Sequence, residues 1–130
     1  CLFFPEISKN KKFNLSKSQN LLILKLMSST PFEMGFDKNM YPNNYNKFFI
    51  YGDKNGMIND NIFNKVGNAY GYSIDNAYIY NKNSDRHFVI TACIYTNANN
   101  ILNDNNYEYD EIGIPFLAEI GRLLTKYDIR

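Results

Sequence analysis

The run from Asn61 to Tyr80 constrains this chain more than any other stretch, because it reads as two strands joined by a tight reversal. Period two marks a strand, whose successive side chains point to opposite faces. The spacing predicts a first strand ending in Lys65-Val66-Gly67, a tight glycine-bearing reversal, and a second strand. In that second strand Tyr72, Ile74, Asn76 and Tyr78 alternate with Ser73, Asp75, Ala77 and Ile79. Lys65 then stands at the mouth of a hairpin, and Gly67 beside it lets another backbone or a ligand approach closely. A cation on a strand edge next to bare backbone suits an anionic ligand. The competing reading is an ordinary solvated surface charge, which is what most lysines near hairpins are.

A third apolar run, Phe88, Ile90, Ala92, Ile94 and Tyr95, predicts a strand over His87 to Asn97, and its length and β-branching predict a central or well-covered position. Helices are expected on both sides of these strands. Asn14-Leu15-Ser16 offers an N-cap, and Leu21, Leu22, Leu24, Leu26 and Met27 recur at near-helical spacing, giving a helix from about Ser16 to Ser28 that Ser29-Thr30-Pro31 stops. Tyr45 to Tyr51 reads as a short helix closed by Gly52, with a turn over Asp53 to Asn59. The last helix runs from about Ile112 or Pro115 to Tyr127, with Ile114, Leu117, Ile120, Leu123 and Leu124 as its apolar stripe and Glu119, Arg122 and Lys126 on the wet side. The Gly-, Pro- and Asn-punctuated loop from Pro31 to Asn43 is long for a compact domain and is expected to cover a cleft or a neighbouring segment. The order is helix, short helix, three antiparallel strands, helix: an α/β chain of the α+β kind.

At 130 residues the chain is of single-domain size, and a net charge of +1 carried on scattered lysines offers no field for nucleic acid or an acidic lipid surface. Eleven tyrosines and ten phenylalanines supply the core, in the absence of any tryptophan. No apolar run approaches the roughly twenty residues that cross a membrane, and no cationic-then-apolar leader is present. Cys93 falls inside an apolar strand as a small buried hydrophobe, and nothing in the sequence brings Cys1 to it. Cys1 as a lipid-bearing residue would need a small polar linker after it. Leu2-Phe3-Phe4 is not one, so a chain opening without Met reads as a truncation.

The box Lys65-Val66-Gly67-Asn68-Ala69-Tyr70-Gly71, followed by an Asp-bearing strand, a further strand and a terminal helix, resembles the C-terminal end of the serine β-lactamase and penicillin-binding-protein superfamily. More narrowly it is similar to the class A-like branch with a Lys-Val-Gly-x-Ala-Tyr-Gly box and a later Asn-Asp-x-x-Tyr-Glu-Tyr-Asp, here Asn103 to Asp110. The resemblance implies that residues 1–130 are a single partial domain, the C-terminal segment of a β-lactamase-like fold without its N-terminal strands and nucleophile helix. Such a piece is expected to sit in an incomplete domain, to bury its open sheet face in a homodimer or against an N-terminal segment of the same protein, or both. The implied activity is acyl transfer through a serine ester on an amide, ester or β-lactam, with no cofactor, in an exported bacterial protein.

Carried over residue by residue, Lys65 matches the box lysine that binds a substrate carboxylate or steadies developing charge, and the Asn68 amide matches an oxyanion-hole donor. Gly67 lets substrate lie along the strand. Val66 replaces the usual Thr, a change that strand alternation tolerates by turning that side chain away from Lys65, whereas Asn68 and Ala69 replace hydroxyl residues that contact a β-lactam carboxylate, which points away from a β-lactam substrate. The only Ser-x-x-Lys is Ser8-Lys9-Asn10-Lys11, in a cationic stretch that opens no apolar helix, and no Ser-Asp-Asn occurs. The chain alone is therefore expected to be catalytically silent. The alternative is a non-catalytic module that binds a peptide or glycan through the Tyr-rich hairpin.

Asp75 is either a partly buried carboxylate paired with Lys65 or Arg86, or an exposed edge carboxylate. His87 lacks companions at metal-ligand spacing, and the acidic loop Asn103-Asp104, Glu108 and Asp110 lacks the spacing of an EF-hand, so no metal site is expected. Tyr70, Tyr72, Tyr78, Tyr80 and Tyr95 form either a stacking platform or cross-strand packing pairs.

Overall fold

A computed structural model of the chain describes residues 14–42, 45–50, 60–81 and 85–126. Its elements in chain order are helix α1 (Lys17–Ser28), a 3-10 turn (Phe48–Ile50), strands β1 (Asp60–Ala69), β2 (Tyr72–Asn81) and β3 (Arg86–Tyr95), a π-type turn (Tyr109–Gly113) and helix α2 (Ile114–Lys126). The α+β architecture is a three-stranded antiparallel sheet, ordered β1-β2-β3, with helices before and after it. The expected closing Gly52 and the Asp53 to Asn59 turn lie outside the described residues, as does Ser8-Lys9-Asn10-Lys11.

The reversal between β1 and β2 falls later than the sequence spacing predicted. β1 runs on through Gly67, Asn68 and Ala69, and the turn is Tyr70-Gly71, at φ of 49° and 87°. Two successive left-handed residues make the turn whose twist matches that of the flanking strands, and Gly71 is the glycine it requires. The turn is tied down from outside as well: Gly71 N–H donates to the Tyr109 hydroxyl at 2.8 Å, and Thr96 N–H donates to Gly71 O at 2.7 Å.

The central strand is β2, not β3. β1 pairs antiparallel with β2 and β2 with β3, so the middle strand in sequence is the middle one in space. Ser73, Asp75, Ala77 and Ile79 point from β2 into the core, flanked by Ile62, Asn64 and Val66 of β1 and by Phe88, Ile90, Ala92 and Ile94 of β3. β3 is half-covered on that face and open on the other, where Val89 is 86% exposed. Cys93 shares the open face and is exposed, which corrects its expected burial.

Helix α2 covers the inner face. Ile114, Leu117 and Ala118 are buried with Phe48, Phe49, Ile62 and Ile79, and Gly121 lies against the 3-10 turn, while Leu123 of the expected stripe is exposed. Glu119 and Arg122 form an ion pair on the wet side. Helix α1 begins with a reciprocal capping box, in which Gln19 N–H donates to Ser16 Oγ and Ser16 N–H donates to Gln19 Oε1. None of its residues is buried, and Leu21, Leu22, Ile23 and Leu26 stay exposed. Its C-terminal end holds it in place through buried Ser29 and Pro31 and through the Met27 carbonyl.

Candidate functional site

Two features meet around residues 45–49: a buried polar network and an open cavity. The network starts from Lys47, which is 1% exposed. Its Nζ donates to Met27 O and to Asn64 Oδ1, both at 2.6 Å. Asn64, 5% exposed, in turn donates through Nδ2 to the Asn46 carbonyl at 3.0 Å and to the two oxygens of Asp75 at 2.9 and 3.1 Å. Asp75 is fully buried and also accepts from Phe49 N–H at 3.3 Å. The strands dictate this juxtaposition, since Asn64 and Asp75 occupy inner-face positions of paired strands and lie diagonally across the ladder.

Burial acts on both ionisable groups in the direction that disfavours charge. Desolvation pulls the Lys47 ammonium down from 10.5 to about 8, against the attraction of Asp75 and Glu33. Desolvation likewise pushes the Asp75 carboxyl above its ordinary value, against the lowering effect of its hydrogen bonds from Asn64 and Phe49 and of the Lys47 charge. Asn64, not Lys65 or Arg86, is the direct side-chain partner of Asp75.

The cavity, of about 340 Å³, opens beside the hairpin end of β1. Tyr45, Asn46 and Phe48 form one wall, Val66, Gly67 and Asn68 a second. The third is the π-type turn, through Tyr109 and Asp110, and Ile114 at the start of α2. That turn is fixed by Gly113, whose absent side chain lets it sit against Ser73; a Cβ there would lie 2.7 Å from Ser73 Oγ. The volume is that of a small ligand or of one or two side chains, and apolar walls with a few polar groups are the usual character of a binding site. Asp110, exposed on that wall, supplies one such group.

Backbone direction adds a second. In a two-residue hairpin the closing pair, here Ala69 and Tyr72, exchanges both ladder bonds, and bonded pairs then alternate along the strand. Val66 and Asn68 therefore turn their N–H and C=O groups away from β2, towards the outer edge of the sheet. The Lys65 ammonium donating to Val66 O agrees with that direction.

The predicted site residues are divided by the strand's pleat. Lys65 lies on the open face, exposed, opposite Asn76. Gly67 and Asn68 line the cavity, and Ala69 pairs with Tyr72 to close the hairpin. Asp75 is in the buried network. The residues that the sequence reading passed over are Lys47, Asn64 and Tyr109. Each carried a signal: a lysine inside the apolar Tyr45 to Tyr51 run, an asparagine at a core-facing position between Ile62 and Val66, and a tyrosine next to the last helix.

The other candidates take part in local structure. Tyr72 and Tyr95 are cross-strand neighbours with ring centres 4.7 Å apart, and His87 stacks on Tyr80 at 4.7 Å and hydrogen-bonds Tyr78. Asp104 accepts from Asn99 Nδ2 and Asn106 N–H, and Glu108 accepts from Ala98 N–H, so the acidic loop orders its own turns. Among the described residues no group of three His, Cys, Asp or Glu side chains gathers as a metal site, and no helix is long and apolar enough to cross a membrane. Compared with known protein families, with curated proteins and with solved structures, the chain matches none.

Proposed function

We propose that this chain is a peptide-binding module, taking an extended segment along the edge of β1 and seating one of its side chains in the cavity. The observation that carries the reading is the coincidence of outward-facing backbone at Val66 and Asn68 with the cavity lined by those same residues. Strand addition draws affinity from main-chain hydrogen bonds and specificity from pockets that take alternate side chains. Tyr45, Phe48 and Ile114 suit an apolar or aromatic side chain, and Asp110 offers an acceptor at the wall.

The test is a peptide-library selection followed by amide shift mapping on the labelled chain. Perturbations confined to 45–48, 66–69 and 109–114 support the reading. Asn68→Pro removes a donor that points away from β2, so it should leave the sheet folded, as an edge strand tolerates, yet weaken the peptide at least tenfold. Undiminished binding in that variant refutes the strand-addition mode, and binding only on a glycan array replaces the peptide with a sugar.

The serine-hydrolase reading has one observation of its own, the placing of Gly67 and Asn68 at the cavity. It requires a serine delivered to that cavity from elsewhere. A fluorophosphonate or penicillin adduct on the intact protein, lost in Asn68→Pro, would favour it over the module.

A further inference from the structure

We propose that Lys47 and Asn64 become joined by an isopeptide bond between Nζ and Cγ, formed by the folded chain itself with Asp75 as the catalytic carboxyl and with release of ammonia. The geometry is already assembled. Lys47 Nζ lies 2.6 Å from Asn64 Oδ1, which places Cγ no further than about 3.8 Å from the amine, one carbonyl bond beyond the oxygen. Rotation about the last bonds of the lysine stem closes the remainder to the separation of roughly 3–3.5 Å from which such attacks proceed. On the far side of the amide, both oxygens of Asp75 lie within hydrogen-bond reach of Nδ2, the atom that must leave.

The step balances without any added reagent. The neutral Lys47 amine attacks Asn64 Cγ, and the C=O electron pair moves to Oδ1. As the tetrahedral intermediate collapses, the Cγ–Nδ2 bond breaks. One proton passes from Nζ to Nδ2 by way of the Asp75 carboxyl, so that nitrogen leaves as ammonia and the carboxyl is regenerated. Nothing is oxidised or reduced.

Three features of the setting favour this chemistry over an inert buried network. The attacking amine must be uncharged and the carboxyl able to give a proton, and burial moves both groups that way. Lys47, Asn64 and Asp75 are at most 5% exposed, so water that would hydrolyse the amide is kept out. The reaction also removes a buried ammonium, which is costly to leave in the core even when partnered. The product ties the start of the 3-10 turn to β1 by a covalent bond.

The full chain, purified and folded, tests this by mass. The intact protein should be lighter than its sequence by one ammonia, and trypsin should yield a branched species joining residues 39–54 to 55–65, uncut at Lys47. Folded protein of full sequence mass that is cut at Lys47 overturns the proposal. So does loss of ammonia in a linear 55–65 peptide, which would be cyclisation at an asparagine. Asp75→Asn keeps the shape of the network and Asp75→Ala removes it; at least one is expected to fold and to carry separate Lys47 and Asn64. A full yield of the branched peptide in either variant would overturn the role given to Asp75.

Discussion

Replacing Gly121 by alanine sets two effects of opposite sign against each other. In the interior of a helix the change gains about 1 kcal/mol from backbone entropy alone. At this position, however, a Cβ would lie 2.0 Å from the Phe49 carbonyl oxygen and 2.8 Å from Phe49 C and Cβ. A carbon and a carbonyl oxygen approach to about 3.3 Å, so α2 and the 3-10 turn would have to part by on the order of 1 Å. Neither side has room to give. Phe49 and Leu117 are almost wholly buried, and the Phe49 N–H is committed to Asp75. The obstacle is backbone, which leaves no rotamer to absorb the strain, and overpacking of this kind costs typically ~1–3 kcal/mol and at times more. With the burial lost by moving α2, Gly121→Ala should destabilise by about 2–4 kcal/mol after the propensity gain is subtracted. Urea unfolding followed by far-ultraviolet circular dichroism measures it, with an unchanged slope showing that the midpoint shift is a stability change. A variant as stable as the parent, or more so, would refute the packing of α2 on Phe49.

Gly71 and Gly67 should behave oppositely in the same assay. Gly71→Ala meets Tyr95 Cε2 at 2.9 Å and Thr96 O at 3.0 Å at a φ of 87° and should lose about 1–3 kcal/mol, whereas Gly67→Ala meets only Ile74 Cγ2 at 3.6 Å and should stay within about 0.5 kcal/mol. Tyr109→Phe removes the acceptor of the Gly71 N–H and should cost about 1 kcal/mol. Stability should also depend on pH. In the unlinked Asp75→Asn variant the unfolded chain holds the Lys47 proton up to 10.5 while burial keeps the folded value low, at about 8 in the parent. The unfolded state thus binds more protons throughout that window, so stability should rise with pH across it, by about 3 kcal/mol for the full shift. Lys47→Met in the same background should abolish the rise, and the linked parent should lack it. A rise that survives Lys47→Met would assign it to another group.

Periodicity revealed what it physically encodes and nothing beyond it. The three strands, the capped first helix and the apolar face of α2 are local patterns, and Ser16, Leu117 and Ile79 stand where those patterns put them. The misreadings have a common origin in tertiary choice. Gly67 and Gly71 are equally good turn residues taken alone; the structure selects Gly71 because Tyr109 and Thr96, far along the chain, take up its N–H and C=O. Strand β3 is the most apolar, a pattern that suits a central or well-covered position, yet the centre is decided by connectivity. The strand that holds it carries Ser73 and Asp75, which hydropathy alone assigns to the surface. The cavity side chains come from three separated segments, and a single sequence says nothing of their meeting. Lys47 and Asn64 illustrate the cost of treating polar residues in apolar patterns as noise: two such violations, with Asp75 as a third, are the members of one network.

That network and the cavity share a wall, and this gives the buried linkage a bearing on binding. Asn46 and Phe48, on either side of Lys47, face the cavity, while Lys47 itself is turned into the core. Asn64 holds the segment twice, through the Lys47 amine and through the Asn46 carbonyl, and Asp75 holds it a third time at Phe49. Hydrogen bonds of this type are worth about 1 kcal/mol each, and they add to the burial of Phe48 and Phe49 in keeping the turn closed. A covalent bond from Lys47 to Asn64 fixes the turn further without adding any atom to the cavity. Its walls are then held for a ligand in advance, and the ordering that an open turn would demand at each binding event is met once, when the chain folds. The buried lysine is therefore understood less as a source of stability in its charged form, where burial works against it, than as the reagent that fixes one wall of the site.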